Sequence, residues 1–217
     1  MVKLYFLLFC FLPSVEVVLA QPTFQGEIRY AVHYRKKSAS VDLTNISLYP
    51  AKQDRLIIKD GSWILHMDTA KYYKYSYYDR RLNRQYWKLK YSDTLFYMSA
   101  ADRGGDAEDS LISTRVIHHT DTILGRICER LVLRTKSMTL SLSFDPNIPI
   151  DPAWFAAAKL NYYDVVYGVM KSVYLKMVWE TADFVVISTA TKVERRLVLP
   201  GEFPAIDKIP TKALASD

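Results

Sequence analysis

Ser137-Met138-Thr139-Leu140-Ser141-Leu142-Ser143-Phe144 places an apolar side chain at every second position and a hydroxyl side chain between. Successive side chains of a strand point to opposite faces, so this run reads as an antiparallel strand with one face buried and the other wet. The same period returns where Ile28, Tyr30, Val32 and Tyr34 alternate with Glu27, Arg29, His33 and Arg35, and again at Val173, Leu175, Met177 and Trp179. β-Branched and aromatic stretches at 56–58, 64–67, 72–78, 86–91, 95–98, 127–133 and 185–191 bring the total to about ten strands.

The punctuation between these runs fits a meander. Asp60-Gly61 reads as a tight hairpin turn, and Leu124-Gly125 as a second short connection. One helix is well signalled: Asp151 as its cap, Pro152 at the first helical position, and Ala153 to Lys159 as good helix formers, about two turns in all. Two surface loops are expected, at 100–110 with Gly104-Gly105 among acids, and at 145–151 with two prolines. Residues from about 200 to 217, with Pro204 and Pro210, read as an extended, poorly ordered tail. The fold class expected is mainly β: a strongly curved antiparallel sheet forming an incomplete barrel, with one or a few short helices over the open side.

Of the 217 residues, 50% are hydrophobic and 24% charged, with only 7 Gly and 9 Pro, which excludes collagen-like, disordered and coiled-coil chains. Residues 1–20 read as a signal peptide: Lys3 before the apolar run Leu4 to Leu12, and Val18-Leu19-Ala20 at a cleavage site. Residues 21–217 are then a single exported domain. Export makes nucleic acid a poor partner, and a monomer is expected. Cys10 falls in the leader, so Cys128 is left without an internal partner and reads as a small core residue.

The densest chemistry lies at 71–91. Lys71, Lys74, Arg80, Arg81, Arg84, Lys88 and Lys90 face the single acid Asp79, giving this stretch a net charge of +6, equal to that of the whole chain. Eight aromatics interleave with them. As a hairpin turning near Arg80 to Asn83, the segment offers a surface for an anionic membrane, glycan or partner protein. Equally, its alternate tyrosines are core and its charges keep an edge hairpin soluble.

Other chemistry is thin. His118-His119 are neighbours on a strand and point apart, and His33 and His66 have no ligand spacing, so no metal is assigned. Asp106, Glu108 and Asp109 lack the order of a calcium loop. No nucleophile elbow, HExxH or glycine-rich phosphate cradle occurs, so neither a cofactor nor a catalytic residue is named, and the protein is not expected to be an enzyme. Asn45-Ile46-Ser47 is a glycosylation sequon that matters only in a eukaryotic secretory path.

The run Thr120-Asp121-Thr122-Ile123-Leu124-Gly125-Arg126-Ile127-Cys128, followed by Phe144-Asp145-Pro146, Ile150-Asp151-Pro152, Ala190-Thr191-Lys192-Val193 and Phe203-Pro204, resembles exported domains of Gram-negative bacteria. Those domains are similar to the lipoprotein-localisation-factor (LolA/LolB-like) superfamily. The resemblance implies a periplasmic or outer-membrane-associated protein with a half-barrel around an apolar cavity that takes lipid or the acyl chains of a lipoprotein. The lid-locking arginine of those carriers matches no position here.

Two functions follow as expectations. In the first, a non-enzymatic envelope protein holds an apolar or amphiphilic ligand against Ile28, Tyr30, Val32, Leu140, Leu142, Phe144, Leu175 and Met177, with Trp154 and Phe155 from the helix. In the second, the core is filled and the basic hairpin docks on an anionic envelope component or partner protein. A cavity of several hundred cubic ångströms with an apolar lining separates the first from the second.

Overall fold

The computed structural model describes residues 22–45, 52–103 and 109–214. The expected leader, most of the sequon and the Asp106 and Glu108 positions lie outside them.

Among the described residues twelve strands form one sheet. The first six, β1 Gly26–Lys36, β2 Gln53–Lys59, β3 Ser62–His66, β4 Tyr73–Asp79, β5 Arg84–Leu89 and β6 Leu95–Ser99, run as an up-and-down meander. A second meander comprises β7 Leu111–Ile123, β8 Arg126–Thr135, β9 Thr139–Pro149, β10 Ser172–Glu180 and β11 Phe184–Arg195. The two join where β1 pairs antiparallel with β11. The short β12 Thr211–Ala213 adds to β6 in parallel, so the sheet is mixed, with β12 and β7 at its edges. This is the expected curved sheet, left open instead of closed into a barrel.

The hairpin turns are where the sequence puts them. Asp60 and Gly61 both take positive φ (49° and 80°), as do Leu124 and Gly125 (51° and 74°), the backbone a two-residue turn needs to match strand twist. Gly61 is also demanded by space, because a Cβ there would stand 2.7 Å from the Trp154 Cβ and the Arg80 Cδ.

The helix differs from expectation. Asp151 does cap, its carboxylate accepting from the Ala153 N–H at 2.9 Å, and Pro152 does start the turn, but only a 3-10 turn, Pro152–Phe155, forms. Beyond it the backbone is captured from outside: Lys159 N–H donates to Ala100 O at 2.6 Å, and Asn83 Nδ2 donates to Ala157 O at 2.9 Å. The one α-helix among the described residues, α1 Tyr163–Met170, comes later, where the sequence signals none. It contains Gly168 and three valines, weak helix formers, and it persists because Val166, Tyr167 and Met170 are buried against the sheet. Among the described residues no helix is long and apolar enough to cross a membrane.

The tail also differs. Val198 is fully buried, 3-10 turns form at Pro200–Glu202 and Ile206–Lys208, and β12 completes the path, so 196–213 is a packed cover instead of a loose end. Arg196 fastens it: its guanidinium donates to Glu202 Oε2 at 2.6 Å and to buried Glu27 Oε2 on β1 at 3.0 Å.

The sheet is therefore covered twice. On one face Ile28, Leu56, Tyr78, Leu131, Phe144 and Leu175 meet Phe155 and the buried side of α1. On the other, Ile57, Ile64, Tyr77, Tyr86 and Leu95 meet Val198, Phe203, Ile206 and Ile209. Cys128 is buried in the first core, and burial pushes its thiol above the usual value, in keeping with a packing role.

Candidate functional site

Nine of the ten residues expected to line a ligand cavity meet in the first core, and the tenth, Val32, is buried beside a small pocket that Tyr30 and Met177 also border. Ile28, Tyr30, Leu142, Phe144, Phe155 and Leu175 are buried in the first core, and Leu140, Trp154 and Met177 pack against it. The space they leave is small. The apolar pocket bordered by Tyr30, Val32, Met177 and Trp179 holds about 60 Å³. Polar tips inside are satisfied in part by the backbone: Tyr30 Oη donates to Tyr174 O at 2.8 Å, with the two rings stacked 5.3 Å apart.

The basic hairpin forms as expected, with β4 and β5 paired and Arg80 to Asn83 turning between them. It is not at an edge, since β3 flanks it on one side and β6 and β12 on the other. Its aromatics are mostly consumed by the two cores: Tyr78 stacks on Phe155 at 5.6 Å, and Tyr77 stacks on Tyr86 at 5.7 Å. The seven cations divide between the two ends of the hairpin, about 20 Å apart at strand rise. At the turn end, Arg80 donates to Asp60 O at 3.2 Å and lies over the Trp154 ring, while Arg84 lies over the Tyr97 ring, so both are tied into packing; Arg81 is exposed. At the open end, Lys71, Lys74 and Lys90 are exposed and Lys88 half-buried. Tyr72 and Tyr91 stand beside them, 40% and 86% exposed. Lys90 Nζ is anchored to Asp68 O at 2.7 Å.

A polar cleft adjoins this lysine end, and the sequence reading did not anticipate it. At the β1–β11 junction Arg29 pairs with Lys192 and Tyr30 with Ala190, so Thr191 is an extra residue on β11 and the ladder splays there. Beside it β1 and β2 pair Arg29 with Arg55, Tyr30 with Asp54 and Ala31 with Gln53. These residues, with Asp68 and Thr69 from the turn after β3, enclose a cleft of about 490 Å³. Nothing in the alternation of β1 or β2 signals it, because a bulge shows only once the register is known. The nearest signal is a lone Asp at 54 in a strand whose apolar neighbours are buried.

The electrostatics of the cleft are set by two groups. Burial, and then the charge of Asp68, raise the Asp54 carboxyl to about 7, and its Oδ1 is buried with no hydrogen-bond partner among the described residues. Burial also pulls Glu27 upward, but hydrogen bonds from Arg29 and Arg196 outweigh it and hold that carboxyl below its ordinary value. Arg29 Nε lies 2.7 Å from Glu27 Oε1, while Arg55 Nη1 approaches Glu27 Oε2 only to 3.9 Å.

Among the described residues no group of three His, Cys, Asp or Glu gathers as for a metal ion. His33 and His66 are apart, opposite Ile187 and Arg55, and His118 Nδ1 meets Glu129 Oε1 at 3.1 Å while His119 takes φ 52° in a bulge.

No family model matches the chain, and no curated protein matches it. Among solved structures it is similar to PNGF-II in two crystal forms, with TM-scores of 0.49 and 0.48 and identities of 14% and 13%. Each covers 87% of this chain, which spans 30% and 32% of those chains. A likeness this distant carries nothing about the site.

Proposed function

We propose that the protein is a non-catalytic docking module of the cell envelope, with a filled core, whose open hairpin end settles on an anionic surface. The observation that carries this reading is the contrast between a packed apolar core, whose pocket beside Tyr30 and Met177 holds about 60 Å³, and a solvent-facing group of Lys71, Lys74 and Lys90 flanked by Tyr72 and Tyr91. An acyl-chain carrier needs an apolar space several times larger.

Each lysine near an anionic lipid surface contributes about 1 kcal/mol. A tyrosine suits the same depth, because its ring is apolar and its tip polar. At the turn end Arg80 and Arg84, held by Asp60 O and the Trp154 and Tyr97 rings, contribute less to docking, and Arg81 stands with them about 20 Å from the lysines.

The test is co-sedimentation with vesicles. Binding to phosphatidylglycerol-containing vesicles, absent with pure phosphatidylcholine and weakened by salt, is the expected result. The double variant Lys71→Gln/Lys74→Gln should weaken it about 30-fold, the equivalent of about 2 kcal/mol, while Arg81→Gln should change it little. Equal binding to both vesicle types would refute the reading.

A further inference from the structure

We propose that the polar cleft between β1, β2 and the β11 bulge is a binding site for an uncharged saccharide of one or two rings. The inference stands apart from the docking surface, which it adjoins through the Lys90 to Asp68 contact.

The lining chemistry chooses the ligand class. The wall carries two guanidiniums, Arg29 and Arg55, and two carboxyls, Asp54 and Asp68. Near neutral pH the two guanidiniums, Arg29 already held by Glu27, face Asp68 and a part-protonated Asp54, so neither sign dominates the wall and selection falls to hydrogen bonds. Arginine offers only donors, an ionised carboxylate only acceptors, and glutamine and threonine both. Gln53, Thr69 and Thr191 supply that third kind. Such a wall matches a ligand whose every hydroxyl donates and accepts. An apolar ligand fits poorly, since only Tyr30 and Ala31 among the lining residues bring apolar surface.

Size and unmet demand agree with this. About 490 Å³ lies within the range of small-ligand sites. Four lining groups already have protein partners: Arg29 Nε donates to Glu27 Oε1 at 2.7 Å, Tyr30 Oη to Tyr174 O at 2.8 Å and Thr191 Oγ1 to Arg29 O at 3.2 Å, while Thr69 Oγ1 accepts from Lys52 N–H at 2.7 Å. Asp54 Oδ1 has none among the described residues, a demand the protein alone leaves unmet.

The experiment is an amide-resolved NMR titration of the protein with cellobiose, lactose, maltose and N,N′-diacetylchitobiose. Saturable shifts at Ala31, Gln53 and Thr191 with at least one of them are expected. Asp54→Asn and, separately, Gln53→Ala should each weaken that binding tenfold or more. Gln53 is exposed, so its variant keeps the fold even if the Asp54 change does not. Because the sugars are uncharged, the affinity should be indifferent to salt and to Lys71→Gln/Lys74→Gln, which separates this result from the fate of the docking reading. No saturable shift with any of the four, shifts confined to other amides, or an affinity unchanged in both variants would overturn the proposal.

Discussion

The β4–β5 hairpin and the bulged end of β1–β2 belong to one sheet and are comparably rich in charge, yet one is filled and the other hollow. In β4, Tyr75 to Asp79 are buried in succession, which requires cover on both faces: Phe155 and α1 on one side, Phe203 and its neighbours on the other. At Arg29 to Ala31 the adjoining strand bulges, the side chains shrink to Ala31 and Thr191, and a cleft remains. Charge density therefore marks neither a surface nor a core here. The lesson is that a site is made by what the covering elements fail to reach.

The largest expected effect tests the filled side. Tyr78→Ala removes a ring that stacks on Phe155 and is almost wholly buried, and it should lower unfolding stability by about 3–5 kcal/mol in urea titration. Gln53→Ala on the hollow side should stay within about 0.5 kcal/mol. Similar costs for the two would end the comparison.

The tail that fills one face depends on Arg196. Replacing it by Met leaves Glu27 buried with weaker partners and frees Glu202, for an expected loss of about 2–3 kcal/mol near neutral pH, less than a fully buried pair because Arg196 keeps some exposure. Both carboxyls are held below their ordinary values, Glu202 to about 2 by Arg196. That stabilisation is present above the ordinary carboxylate range and fades as pH falls through the folded values. The gap between Arg196→Met and the parent should therefore close toward pH 2, as read by unfolding at a series of pH values.

This division explains what could be read in advance. Strand alternation and the Asp60-Gly61 and Leu124-Gly125 turns are local signals, and the meanders follow from them. Period-two patterning names a shared face, and Ile28, Tyr30, Leu142, Phe144 and Leu175 meet in one core. Whether that face encloses a cavity is a matter of volume, decided by α1, whose Tyr-Asp-Val-Val-Tyr-Gly-Val-Met sequence has no helical signature of its own. The prolines of the tail signal a break in regular structure but not the packing of Val198 and Phe203. The cleft needs the Thr191 register shift, which exists only between strands distant in sequence.

At the filled side's turn, Gly61→Ala should cost about 2 kcal/mol, because φ 80° disfavours a Cβ and the new methyl would press on Trp154. Trp154 belongs to the 3-10 turn that roofs Tyr78, so its fluorescence should shift as well. An unchanged spectrum would mean that Trp154 keeps its place and the Arg80 side chain gives way instead.

The subtlest prediction concerns the hollow side. Asp54 has a folded pKa near 7, above its value in an unfolded chain, so the folded protein binds the extra proton between about pH 4 and 7 and loses stability as pH rises across that window. Asn cannot ionise, so Asp54→Asn should match the parent near pH 4 and exceed it by about 1–2 kcal/mol at pH 8, a fraction of what a shift of this size implies, since the open cleft admits water. A saccharide hydroxyl donating to the buried oxygen favours the ionised form and should pull the carboxyl back down. The pH dependence of stability should then flatten when a saccharide is bound. A slope indifferent to a sugar that binds would place the ligand away from Asp54, and with it the meaning of the unpartnered oxygen.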